Sequence, residues 1–91
     1  GALRDAIDEN RLDVVQCLHT NFGLTSEDAA LGLWKAAEGD RLNFMRYFFY
    51  NMGLTAADVA KLVNKSNLAY FVGSSGPCYD FLVSQGCKFD D

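Results

Sequence analysis

The groups best suited to metal binding or nucleophilic chemistry in this chain are one histidine, His19, and three cysteines, Cys17, Cys78 and Cys87. Their spacing argues against both uses. Cys17 and His19 are two residues apart, and such neighbours on a helix point to different sides. Cys78 and Cys87 lack the Cys-x-x-Cys spacing with which two thiolates share a zinc ion. An odd number of unpaired cysteines predicts reduced thiols, and hence the cytoplasm or another reducing intracellular compartment. Gly73-Ser74-Ser75-Gly76-Pro77 could offer free N–H groups to an anion ahead of a helix. It lacks the lysine and the preceding strand of a phosphate loop, so it reads as an inter-helix loop. No carboxylate pair stands out from the surface acids. The expectation is a non-catalytic protein with no catalytic, metal-binding or cofactor-binding residue.

The elements that position the remaining candidates are organised by a motif written twice. Asn21-Phe22-Gly23-Leu24-Thr25-Ser26-Glu27-Asp28 returns 30 residues later as Asn51-Met52-Gly53-Leu54-Thr55-Ala56-Ala57-Asp58. Glycine after an apolar run ends a helix in the left-handed conformation, because no Cβ clashes. Threonine two residues on caps the next helix, and Thr-x-x-Asp resembles a capping box with a shortened acid. The motif therefore stops one helix and starts another.

Around it, hydrophobic spacing predicts helices over 2–9, 12–20, 26–38, 41–51, 56–64, 68–72 and 77–85. Asn10 and Gly39-Asp40 turn the chain between them, Ser66 or Asn67 can cap the short helix from Leu68, and Cys87–Asp91 forms a tail. Leu12, Val15 and Leu18, with Val14 beside them, are expected to form the buried stripe of the second helix. Gly32 predicts a weak point or break in the third. Leu3, Ala6, Asn10, Arg11, Leu12, Val15 and Leu18 fall on Leu33, Ala36, Asp40, Arg41, Leu42, Met45 and Phe48 at the same spacing of 30. A third copy, anchored on Gly86, places Ala69, Gly73 and Phe81 with Ala36, Asp40 and Phe48. A two-helix repeat of this length is a solenoid unit that buries its face only by stacking.

The run Ala2-Leu3-Arg4-Asp5-Ala6-Ile7-Asp8-Glu9-Asn10-Arg11-Leu12-Asp13-Val14-Val15-Gln16-Cys17-Leu18 resembles the core of an ankyrin repeat, and Leu33 to Phe48 repeats it with larger residues. The resemblance implies an all-α, ankyrin-like solenoid forming a single domain over residues 1–91, in units of about 1–24, 25–54 and 55–91. Leu31-Gly32-Leu33-Trp34 stands where that family carries Thr-Pro-Leu-His. The Gly23–Leu33 link is short for its β-hairpin finger, so fingers are expected to be reduced or absent. The chain starts inside a unit, which predicts that it belongs to a longer array. The residues themselves also fit another two-helix solenoid or a compact helical bundle.

The resemblance implies protein–protein interaction through a rigid surface, with Trp34 on the helix that lines the concave face. Arg4 is its first-unit counterpart. Trp34 could instead pack between units. Tyr50 points away from Met45 and Phe48, while Tyr47 and Phe49 widen the apolar face of the same helix. The third unit covers that face, or it remains an adhesive patch through which the chain self-associates as a structural bundle. Lys35, Arg41 and Arg46 make the second unit basic, and Asp5, Asp8, Glu9 and Asp13 make the first acidic. That polarity could orient a charged partner or be an ordinary solvated surface. The predicted partner-binding set is Trp34, Tyr50, Arg46, Lys35 and Arg4, on a chain expected to be monomeric.

Composition limits the partners further. A net charge of −4 and a pI near 4.7 argue against nucleic acid and anionic membrane as ligands. No apolar run approaches the length of a membrane span.

Overall fold

Both Gly-Leu-Thr motifs do what their residue types predict. Gly23 and Gly53 end their helices at φ 66° and 72°. Asp28 N–H donates to Thr25 Oγ1 at 3.2 Å, while Thr25 N–H donates to the Asp28 carboxylate at 2.8 Å. Thr55 and Asp58 repeat this pair at 3.3 and 3.0 Å. Aspartate thus closes the capping box in spite of its short side chain. The other turns rest on Asn10 and Asp40, left-handed at φ 59° and 55°. Each lets the following arginine N–H reach back to the helix just ended, Arg11 to Ala6 and Arg41 to Ala36, both at 2.8 Å.

The computed structural model describes residues 1–65 and 68–89, and these are all-helical. The helices are α1 (Ala2–Asp8), α2 (Leu12–Phe22), α3 (Ser26–Glu38), α4 (Leu42–Met52), α5 (Ala56–Lys65), α6 (Leu68–Val72) and α7 (Pro77–Ser84). The proposed caps Ser66 and Asn67, and the tail residues Asp90 and Asp91, lie outside the described residues. Helix α1 packs on α2 and α3 on α4; α1 and α6 lie against α3, and α7 against α4. The molecule measures 39 × 22 × 21 Å. Gly73, placed by sequence with Asn10 and Asp40, is left-handed too, at φ 77°.

The core runs through the middle of this arrangement. Phe44 and Phe48 are its largest fully buried side chains, with Ile7, Leu33, Met45, Leu68, Leu82, Val15 and Val59 around them. Two expectations need correction. Helix α3 is not broken at Gly32. It runs unbroken because Gly32 is buried under the Phe48 ring, where a Cβ would lie 2.6 Å from Cζ. Glycine there is a seat for a neighbour's ring, and the packing outweighs its poor helix propensity, worth about 1 kcal/mol. The stripe of α2 is only partly covered: Val15 is fully buried, whereas Leu12, Val14 and Leu18 are half-buried.

Counting from the threonine caps, Leu62 occupies the place of Gly32. The described helical residues of that region are those of α5 and α6.

Candidate functional site

Helices α3 and α5 leave an open groove between them. Its apolar end, about 310 Å³, is lined by Ala30, Leu31, Trp34 and Leu62. Its polar end, about 290 Å³, shares Ala30 and Leu62 and adds Ser26, Glu27, Asp58 and Lys61. The shared residues make the two depressions neighbours. Leu31 stands 48% exposed at its rim. Trp34 is half-buried and meets Phe71 edge to face at 5.3 Å between ring centroids. Phe71 in turn meets Tyr70, which is 80% exposed. A continuous apolar surface thus runs from Leu31 over Trp34 to Tyr70, held in place by the packing of α6 on α3.

The predicted binding residues separate onto different surfaces. Trp34 sits in this groove. Arg46 and Tyr50 meet instead on the far side of α4, around Phe81 of α7. The Arg46 guanidinium carbon lies 6.0 Å from that ring's centre, and the Tyr50 ring meets it edge-on at 5.8 Å. Tyr50 is 65% exposed, and its hydroxyl accepts from Gln85 Nε2 at 3.4 Å. Lys35 is engaged within the fold: its ammonium pairs with Asp8 at 2.9 Å and Glu38 at 2.7 Å, and only 13% of the side chain is exposed. Glu38 first, then Asp8, hold that ammonium above its usual pKa. Arg4 is exposed on α1, in neither group.

The wide apolar face of α4 is divided between its neighbours. Phe49 is buried against Phe81, edge to face at 5.4 Å. Tyr47 turns the other way, to the first unit, where its hydroxyl meets His19 Nδ1 at 2.8 Å. The charge polarity is likewise used internally: besides the Lys35–Asp8 pair, Arg41 Nη2 donates to the Asp8 carbonyl at 3.1 Å.

The thiols separate by burial. Cys17 is exposed and accepts from Asn21 Nδ2 at 3.2 Å. Cys78 is buried and donates to Asp40 Oδ1 at 3.2 Å. Burial, and then that carboxylate, push its pKa up to about 12; burial alone pushes Cys87 up to about 11. Both stay protonated at neutral pH, the opposite of an activated nucleophile. Among the described residues no group of three or more His, Cys, Asp or Glu is placed to hold a metal ion. Nor is any helix there long and apolar enough to cross a membrane.

Sequence reasoning missed Leu31, Leu62, Tyr70 and Phe71. The adjacent aromatics Tyr70-Phe71 were the available signal, since neighbouring positions on a helix point to different sides. Comparison of the chain with protein-family models, curated proteins and solved structures finds no match to any of them.

Proposed function

We propose that this protein is a non-catalytic interaction module, an ankyrin-like stack of two-helix units, that binds a protein partner through the α3–α5 groove and the adjoining Trp34–Phe71–Tyr70 surface. The observation that carries this reading is the groove's apolar end, lined by Leu31 and Trp34, with Leu31 exposed at its rim and Tyr70 exposed beyond the Trp34–Phe71 contact. Rigid aromatic surface flanked by charge is the composition of interface hot spots. Trp34 forms the wall of the groove and also supports α6, so it anchors the surface from beneath while Leu31 and Tyr70 meet the partner.

The test is retention of proteins from nuclease-treated lysate on the wild type, on Leu31→Glu and on Tyr50→Ala. Leu31 is on the rim, so its replacement leaves the fold intact by circular dichroism. Partners lost with Leu31→Glu and kept with Tyr50→Ala place binding in the groove. Identical sets on all three proteins would sink the reading. The reverse pattern would move the interface to the Arg46–Phe81–Tyr50 surface on the far side of α4.

A further inference from the structure

The contact between the first two units has an unfilled counterpart on the outer edge of the first. Lys35 on α3, with Arg41, Phe44 and Tyr47 along α4, forms the stripe of the second unit that faces the first. There Lys35 pairs with the Asp8 carboxylate, Arg41 donates to the Asp8 carbonyl, and Tyr47 meets His19. Phe44 between them is fully buried. The residues 30 positions earlier are Asp5, Arg11, Val14 and Cys17. Asp5, Arg11 and Cys17 are exposed, and Val14 is only half-buried. Arg41 reaches across to the end of the neighbouring helix; Arg11 folds back on Asp13 at 3.0 Å, with 55% of its side chain exposed. The same backbone turn presents both arginines; Arg41 has a neighbouring helix end to reach and Asn43 two residues on, whereas Arg11 has no such helix end and the carboxylate of Asp13 in the place of Asn43. One charge is inverted along the stripe, since Asp5 stands where Lys35 stands.

We propose that the outer edge of α1–α2, formed by Asp5, Arg11, Val14 and Cys17, is a stacking face for a further two-helix unit whose first helix ends with its carbonyls over Arg11 and carries a basic side chain opposite Asp5. Arg11 then does for that helix what Arg41 does for α1. The basic residue reverses the Lys35–Asp8 pair, and Val14 and Cys17 are covered as Phe44 and Tyr47 are. The face therefore discriminates: a unit with an acid at the Asp8 position places two carboxylates together and is disfavoured. This inference stands independently of the groove as a binding site.

The experiment extends the full chain. A copy of residues 2–31 is joined ahead of Ala2, which keeps the 30-residue register, because Ala2 holds the place that Gly32 holds after Leu31. The added copy carries Cys17→Ser, so that the original Cys17 is the sole exposed thiol, and either Asp8 or Asp8→Lys. Alkylation of Cys17 by iodoacetamide and the thermal midpoint are measured. The expected result is alkylation at least tenfold slower than in the unextended chain with Asp8→Lys in the copy, with a higher midpoint. The copy retaining Asp8 protects less. Arg11→Ala in the original unit restores alkylation in the extended chain and leaves its rate unchanged in the unextended one. Cys17 reacting in the extended chain as fast as in the unextended one overturns the proposal, whether or not the added segment gains helix. So does equal protection by the two copies.

Discussion

Helix α3 and the α5–α6 pair begin with the same capping box and then diverge. In α3 a glycine seven residues after the cap lies under Phe48, the helix passes close to α4, and it continues to Glu38. In the third region leucine holds that place and lies half-exposed in the groove. Phe81, the residue aligned with Phe48, packs instead on Phe49 and Tyr50. The comparison teaches that how closely a helix approaches its neighbour is decided here at one position, and that a glycine buried under a ring does not interrupt its helix. The leucine that stands in the glycine's place also lines the groove between the two helices.

The comparison is broken most directly by making α3 resemble α5. Gly32→Leu forces a side chain into space filled by a fully buried ring, and overpacking of this kind costs about 3 kcal/mol. Urea unfolding measures it, and a loss below about 0.5 kcal/mol would show that the close approach of Phe48 does not require glycine at that place. Phe48→Leu in the same chain is expected to recover part of the loss, since both changes act on one contact.

Removing the shared feature comes next. Thr25→Ala and Thr55→Ala should each cost about 1 kcal/mol, because the two boxes have the same geometry. Clearly unequal losses in urea would show that the two starts are not equivalent. The reciprocal change, Leu62→Gly, should cost less than Gly32→Leu: about 1 kcal/mol of helix propensity plus the partial burial of a side chain that packs against the core. A loss as large as that of Gly32→Leu would contradict the asymmetry between the two regions.

The smallest effect at neutral pH belongs to the buried thiols that tie the third region down. Cys78 and Cys87 have folded pKa values raised above the ordinary 9.0, to about 12 and about 11. The folded state therefore holds its thiol protons more tightly than the unfolded one. That contribution is intact below pH 9.0 and is lost as pH climbs through the folded values. Stability against pH should fall across this alkaline window, and less steeply in Cys78→Ala. An unchanged slope in that variant would show that burial of the thiol is not what sets it.

What was legible in the sequence was local. Both Gly-Leu-Thr motifs, the left-handed Asn10 and Asp40, and the helices they delimit follow from residue types within a few positions of one another. Gly32 was misjudged because its partner, Phe48, lies on the next helix, and propensity carries no information about a ring above it. The contacts of the surface candidates were hidden for the same reason. Lys35 looked available because Asp8 is remote in sequence, and Tyr47 gave no sign of facing His19 and not the third region. Trp34 stood out because tryptophan is conspicuous, whereas Leu31 and Leu62 become a surface only when α5 lies beside α3.

The edge contact between Trp34 and Phe71 has a spectroscopic consequence. Trp34 is the chain's one tryptophan, so its fluorescence comes from the seam where α6 lies on α3. Mild denaturant that detaches the third region first would shift the emission to longer wavelength while the helical signal of α1 to α4 persists. Coincident transitions would mean that the whole chain melts as one cooperative unit.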